Sequence, residues 1–187
     1  MAEEQARAAV VGTVASLRVY PVRSLAGIDR TSAEVGATGL VGDRAGTVVG
    51  EDGRTVRGKD APALRGLAPT GDSGADADRL SHLLGRTVRI VADPGTGGGQ
   101  AAVHLVSTAA LARAAAGEVP DGCSAEDPRA NLVLELSGQD DERAWVGRLL
   151  RLGDVVLEVT RTPKHCLGVY AEVRRAGRVS VGDAVLL

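Results

Sequence analysis

The chain has 187 residues, which is enough for one compact domain or for two small ones that lie close together. Its formal net charge at pH 7 is -2, with acidic and basic residues mixed along the chain, so no basic tract indicates a nucleic-acid or anionic-membrane partner. Hydrophobic residues make up 44% of the sequence, but none of them is Phe. Val, Leu and Ala must therefore fill the core, and Val favours strands.

The N-terminus and the cysteine count predict a reduced, cytoplasmic protein. The first residues, MAEEQARAAVVG, place acids where a secretory signal peptide has basic residues, and no apolar run is long enough to cross a membrane. Cys123 and Cys166 are the two cysteines. Two are too few for a disulfide scaffold, and too few for this chain alone to hold an iron–sulfur cluster through four cysteines.

The first half of the sequence predicts short strands and one helix. Strands are predicted at 10–20, 31–35, 45–50 and 86–91. Asp52-Gly53 separates two β-rich runs, and Asp-Gly in that position predicts a hairpin turn because the turn needs a positive φ. Residues 76–84 have helical spacing, and Gly85 follows as a C-cap.

The second half predicts a barrel. The segment 93–100, DPGTGGGQ, is a linker that separates an N-terminal β subdomain at 10–92 from a domain at 101–187. An Ala-rich helix follows, with Ser107 or Thr108 as its cap. Strands are predicted at 131–136 and in RLGDVVLEV and GRVSVGDAVLL, and turns at the Val/Leu-Gly-Asp tripeptides 41–43, 152–154 and 181–183. Many short strands with few helices predict a closed or partly closed barrel.

Cys166, in RTPKHCLGVY, is the best candidate for chemistry. Lys164 and His165 flank it, and positive neighbours favour the thiolate, the form that binds soft metals or attacks electrophiles. The alternative is a small buried hydrophobic residue, which the local sequence alone favours. Cys123 lies in a polar segment and is interpreted as incidental.

Two polar groups in the first half could bind an anion. Arg23 and Ser24 follow a strand, and a guanidinium beside a hydroxyl can hold a phosphate. The alternative is an ordinary polar turn. Arg44 follows Asp43, so the two form a structural ion pair or Asp43 orients Arg44 toward an anion.

Two further groups lie in the second half. Ser107 and Thr108 would offer hydroxyls and free N–H groups at a helix N-terminus, which suits an anion, although simple capping is more common. Arg129 and Asn131 flank the start of NLVLEL. Arg129 could contact phosphate and Asn131 a ring edge, or they are a surface charge and a turn residue.

No independent motif adds to these candidates. The sequence has no GxxxxGK[ST], no paired cysteines for zinc and no GxSxG. His82, His104 and His165 lack the spacing of a metal site, and His104 is expected to face the core.

Seven segments resemble, in order, the MOSC family, which is named for the C-terminal domain of molybdenum cofactor sulfurases. VYPVRSLAGI is similar to the opening of the N-terminal MOSC barrel. The other six similar segments are 39–67, 82–91, 103–111, 127–135, 145–166 and 177–187.

The resemblance implies a mostly β fold with a few short helices, a MOSC-type β-barrel with an N-terminal β subdomain packed against it. It also implies the molybdenum cofactor, molybdopterin, without a need for pyridoxal phosphate. In the amidoxime-reducing relatives a cysteine binds molybdenum, and the matching position is Cys166, beside His165. Contacts to the cofactor phosphate or pterin are implied at Arg23, Ser24, Arg44, Ser107, Thr108, Arg129 and Asn131.

The sequence also departs from the family pattern. Arg23 stands where Lys is common, the segment after Leu67 is shorter than usual, and LGVYAEV follows Cys166. These departures concern the substrate pocket more than the fold.

Three functions follow as hypotheses. The first is an oxidoreductase that reduces N-hydroxylated or N-oxide-type small molecules, with electrons from an external reductase because the chain has no flavin, haem or iron–sulfur motif. The second is a carrier of the cofactor, or of sulfur, to an accepting enzyme. The third is cofactor-free thiol chemistry at Cys166 with His165 as a base.

Overall fold

The computed structural model describes residues 9–93, 102–119, 128–138, 141–164 and 166–187. The chain divides into two compact units. Unit 1 comprises residues 1–17, 31–41 and 101–187, and unit 2 comprises residues 18–30 and 42–100. The boundary predicted at 93–100 stays a prediction, since residues 94–100 lie outside the described ones.

Strands dominate the described residues. They are β1 (Val10–Val19), β2 (Ile28–Arg30), β3 (Ser32–Gly36), β4 (Gly39–Leu40), β5 (Gly46–Gly50), β6 (Val88–Ala92), β7 (Val103–Ser107), β8 (Leu132–Leu136), β9 (Leu149–Leu152), β10 (Val155–Arg161), β11 (Val169–Arg175), β12 (Gly177–Ser180) and β13 (Ala184–Leu186). The α-helices are α1 (Ser73–Leu84) and α2 (Thr108–Ala115), and 3-10 helices span Pro62–Gly66 and Glu142–Trp145.

Seven strands of the main sheet close into a β-barrel. Their hydrogen-bonding order is β13-β9-β10-β11-β7-β8-β1, and β1 pairs with β13 to complete the ring. The alternation of strand residues supplies the interior: along β10, for example, Val155, Leu157 and Val159 are buried. The predicted mostly β fold with a closed barrel is thereby confirmed.

One pair of barrel strands is parallel. β7 and β8 align Leu105 with Leu132 and Ser107 with Leu134, and α2 lies between the two strands in the sequence. A parallel pair needs such a crossover, because a tight turn joins only antiparallel neighbours. Ala110 and Ala114 of the helix share a buried cluster with Val106, Ala130 and Leu167.

Unit 2 has its own core. β5 pairs with β6, and α1 begins after Asp72, whose side chain accepts hydrogen bonds from the N–H groups of Gly74 and Ala75. Gly85 ends the helix in the left-handed conformation, as predicted, but the helix starts three residues before the predicted Asp76. The buried core residues are Val22, Leu25, Val48, Val56, Leu64, Leu80 and Val88.

The turn chemistry was predictable, but one strand partner was not. The glycines of all three predicted Val/Leu-Gly-Asp turns have positive φ, as does Gly53. The Asp52-Gly53 turn returns the chain only to an isolated bridge between Val49 and Thr55. The continuous partner of β5 is β6, which no local sequence signal indicates.

No helix among the described residues is both long and apolar enough to cross a membrane.

Replacing Gly168 by Ala should destabilise unit 1 strongly. Gly168 has φ +78°, and a Cβ there would lie 2.0 Å from the carbonyl oxygen of Leu105. Gly147 is a matched control, because its φ is +86° but a Cβ there meets no atom within 4 Å. In chemical denaturation, Gly147→Ala should lower the free energy of unfolding by about 1 kcal/mol, and Gly168→Ala by about 3 kcal/mol. Equal losses would contradict the close approach.

Candidate functional site

In unit 2 the backbone brings Arg23, Ser24 and Arg44 together. Val22 forms a parallel bridge with Gly46, and the Arg23 N–H donates to the Gly46 carbonyl at 2.8 Å. The Arg44 N–H donates to the Tyr20 carbonyl at 2.6 Å. We call Arg23, Ser24 and Arg44 the arginine cluster.

Each guanidinium of the arginine cluster has a carboxylate partner. Arg23 pairs with Asp93 and Arg44 with Asp43, and Arg44 also lies 5.2 Å from the ring centre of Tyr20. Burial lowers the pKa of Arg23 below its ordinary value, and the positive charge of Arg44 lowers it further, against the opposing charge of Asp43. The two guanidiniums therefore lie within each other's field, and an anion placed beside both would relieve that repulsion.

Ser24 takes part through its hydroxyl. Its Oγ accepts a hydrogen bond from the Gly58 N–H at 2.9 Å. A hydroxyl that accepts one bond can donate its own hydrogen to a second partner, such as an anion.

Backbone strain coincides with three of the predicted site residues. Among the described residues, the non-glycine positions with positive φ are Ser24 at 70°, Arg44 at 52° and Arg129 at 54°. All three were predicted from the sequence as anion-binding residues. The left-handed conformation costs a side-chain-bearing residue about 1–2 kcal/mol, and such strain concentrates at functional sites. The strain is thus an observation independent of the side-chain chemistry that suggested these residues.

In unit 1 a second group forms around Cys166. Its Sγ donates to the Pro128 carbonyl at 3.6 Å, which places the thiol beside the segment that continues into Arg129. Asn131 is fully buried; its Oδ1 accepts from the His104 N–H at 3.2 Å, and its own N–H donates to the His104 carbonyl at 2.8 Å. We call Cys166, Arg129, Asn131 and His104 the cysteine cluster.

Sequence reasoning correctly placed His104 in the interior but missed its link to the site. Its Nε2 lies 2.8 Å from the carbonyl oxygen of Leu167, the residue after Cys166. Since a carbonyl only accepts, Nε2 carries the hydrogen. The sequence does not indicate this hydrogen bond, because His104 and Leu167 are far apart along the chain.

The N-terminus of α2 is partly occupied by the protein's own groups. The Ser107 Oγ accepts from the Ala110 N–H at 3.0 Å, so Ser107 is the cap, and the half-buried Thr108 begins the helix. The Ser107 N–H donates to Oε1 of Glu142 at 3.0 Å. Glu142 is fully buried, and its Oε2 has no hydrogen-bond partner among the described residues. Glu142 was not among the predicted site residues, because no feature of the local sequence marks it as buried.

The segment after Cys166 borders a cleft. This cleft has a volume of about 340 Å³, and its lining includes Leu167 and Gly168 together with Arg113, Asp141 and Arg143. Arg113 and Asp141 form an ion pair at 3.2 Å. The walls thus combine apolar surface with both signs of charge, as ligand clefts often do.

Two of the predicted candidates lie outside the described residues, namely His165 and Cys123. Within the described ranges, no three His, Cys, Asp or Glu side chains form a group that could hold a metal ion. A metal bound at Cys166 through described side chains would therefore have to bring most of its other ligands with it.

Substitutions at Arg44 test whether its positive φ strains the backbone. Arg44→Gly and Arg44→Ala both remove the guanidinium, but only glycine adopts φ near +52° without penalty. The Gly variant should therefore be more stable than the Ala variant by about 1 kcal/mol in chemical denaturation.

The matched control is Arg151, an exposed residue of β9. There the order should reverse, because glycine weakens a strand. An Arg44→Gly variant no more stable than Arg44→Ala would contradict the strain.

Comparisons with known proteins agree with this architecture. The family model of the MOSC N-terminal beta barrel domain matches residues 11–95, and that of the MOSC domain matches residues 92–167. No curated protein is similar enough to the chain to count as a match.

A solved structure supports the same fold. The YUAD protein from Bacillus subtilis is similar with a TM-score of 0.55 and 13% identity, and the alignment covers 94% of each chain. A second structure, described as a hypothetical protein, aligns at 13% identity and a TM-score of 0.46, over 94% of this chain and 68% of its own. Since the two family models together cover residues 11–167, the chain belongs to the MOSC family.

Proposed function

We propose that this protein binds the molybdenum cofactor with the Cys166 thiolate as a metal ligand. We further propose that it is an oxidoreductase that removes oxygen from N-hydroxylated or N-oxide-type small molecules in the cytoplasm. The observation that carries the proposal is the cysteine cluster: a half-buried thiol beside the Arg129 segment, linked through Leu167 and His104 to a fully buried Asn131, in a family associated with this cofactor.

The donors of each cluster suit one part of such a group. The molybdenum cofactor carries a phosphate and a pterin, and it holds its metal largely through its own atoms. The arginine cluster supplies two guanidiniums and a hydroxyl, which are phosphate ligands. The cysteine cluster supplies one thiol, and the described residues offer no group of further metal-binding side chains around it. This suits a metal whose other ligands belong to the cofactor.

Each group of residues would have its own role in holding the cofactor. Cys166 must lose its thiol proton to act as a ligand, and the Pro128 carbonyl accepts that hydrogen in the unliganded state. Asn131, fixed by the backbone of His104, would present its amide to the pterin. Arg129, Arg23, Ser24 and Arg44 would hold negative charge, and the first turn of α2, at Ser107 and Thr108, would add N–H donors.

When bound, the cofactor supplies a metal that accepts an oxygen atom and exchanges electrons. The sequence contains no flavin, haem or iron–sulfur motif, so we assign the supply of electrons to an external reductase. The cleft beside Leu167 and Gly168 is the part of unit 1 that we assign to the small-molecule substrate.

A carrier of cofactor or sulfur is the second candidate. The observation that favours it is the partial exposure of Cys166, which allows an accepting enzyme to reach the thiol. Transfer of cofactor to an apo-enzyme would distinguish it from the oxidoreductase. Cofactor-free thiol chemistry at Cys166 is the remaining candidate, and alkylation sensitivity of a metal-free active protein would distinguish it.

The test is the cofactor content of protein made in a host that synthesises molybdenum cofactor. Wild type should contain molybdenum and should release a fluorescent pterin on oxidation, because the proposed ligands would hold the phosphate and the metal. Cys166→Ala should lose molybdenum. Cys123→Ala is the matched control and should retain it.

Activity is then measured with an artificial reductant and a panel of N-hydroxylated compounds. Oxygen removal that is lost in Cys166→Ala would support the oxidoreductase. Folded wild-type protein with neither molybdenum nor pterin would overturn cofactor binding, whereas loaded protein that is inert toward the panel but donates cofactor would favour the carrier.

A further inference from the structure

We infer that His104 is a positioning residue that holds the Cys166 thiol and Asn131 in a fixed relation. The role of this positioning in cofactor binding rests on the proposed function, whereas the hydrogen bonds of His104 do not depend on it. His104 contacts both site segments, one through its side chain and the other through its backbone.

The backbone of His104 fixes Asn131. Two hydrogen bonds join these residues, one from the His104 N–H to the Asn131 side chain and one from the Asn131 N–H to the His104 carbonyl. The first bond fixes the side-chain amide of Asn131, and the second fixes its backbone just before β8. Asn131 therefore cannot turn without breaking a contact to β7.

The ring of His104 fixes the chain next to Cys166. The Nε2–H donates to the Leu167 carbonyl, which belongs to the peptide directly after the cysteine. Two residues on, Val169 pairs with Leu105, the neighbour of His104. The chain from Cys166 to Val169 is thus held at two successive points by β7, and the thiol has little freedom beyond its own side-chain rotation.

The ring itself is held in one orientation. Only 4% of His104 is exposed, and its ring centre lies 4.8 Å from that of Tyr170 at an interplanar angle of 59°. The guanidinium of Arg161 lies 5.1 Å from the Tyr170 ring centre on the same strand pair. A donor that is packed in this way aims its hydrogen bond without losing much side-chain entropy on doing so.

An ordinary core histidine also needs partners, but here one partner, Asn131, belongs to the cysteine cluster and the other, Leu167, directly follows Cys166. Groups that orient metal ligands commonly act through such indirect bonds, and their loss weakens metal binding by about 10- to 100-fold. Leu167 also lines the cleft assigned to substrate, so the same hydrogen bond fixes one cleft wall.

The test compares His104→Gln with His104→Met in a Cys123→Ala background. The two side chains are similar in length, but only Gln keeps an N–H donor. His104→Asn is a third variant, polar but too short to donate to Leu167. The readout is the rate of Cys166 alkylation by iodoacetamide in metal-free protein, with His82→Met, on an exposed position of α1, as the control.

His104→Met and His104→Asn should be alkylated several-fold faster than the parent, because the thiol segment is released. His104→Gln and His82→Met should react at nearly the parent rate. Equal rates in all variants would overturn the inference, and so would a Gln variant as reactive as the Met variant, since packing alone would then explain His104.

A parallel measurement of molybdenum separates this inference from the proposed function. When both are purified from a cofactor-producing host, the His104→Met variant should retain about tenfold less molybdenum than the parent. If the alkylation rates follow the expected order but wild-type protein never holds molybdenum, the positioning role of His104 is supported. The cofactor proposal is then overturned.

Discussion

The parallel pairing of β7 with β8 is the constraint on which the unit 1 site depends. Because a parallel pair cannot be joined by a tight turn, the chain must leave the barrel and return, and α2 lies in that excursion. The pairing also aligns His104 with Asn131, so the start of β8 is tied to the start of β7. On the other side of β7, β11 brings the segment after Cys166 into place. One strand therefore organises residues from two distant segments.

Strain supplies a second link between fold and chemistry. A left-handed conformation at three non-glycine residues lowers the free energy of unfolding measurably, since that free energy is only about 5–15 kcal/mol in total. At Ser24 and Arg44 hydrogen bonds support the conformation, since the Arg44 N–H donates to the Tyr20 carbonyl and the Ser24 hydroxyl accepts from the Gly58 N–H. Glycine would remove the strain but also the hydroxyl and the guanidinium. Retention of these side chains at strained positions is what a binding role would require.

Much of the fold was predictable because its signals are local. Gly85 and Ser107 end and begin helices through chemistry that spans four residues, and the Val/Leu-Gly-Asp turns need only one positive φ each. The partner of β5 was not predictable, since β6 is separated from it by a helix. The placement of β3 against β12 was equally hidden, because it joins opposite ends of the sequence.

The candidate site divides in the same way. Arg23, Ser24, Arg44, Arg129 and Asn131 could be selected from residue type and position beside strands. His104 could be assigned only to the core, and Glu142 was not noticed, because their partners, Leu167 and the Ser107 N–H, lie on other elements. The resemblance to the MOSC family raised Cys166 above its local interpretation as a small buried residue. The hydrogen bond of its thiol to Pro128 then adds a contact that the sequence could not supply.

The most direct measurement is a crystal structure of wild-type protein purified from a cofactor-producing host, with anomalous data collected at the molybdenum absorption edge. We predict an anomalous peak at bonding distance from Sγ of Cys166, with the Nε2–H of His104 still donating to Leu167. Bound pterin with the metal elsewhere, or a metal that does not touch the Cys166 sulfur, would contradict it.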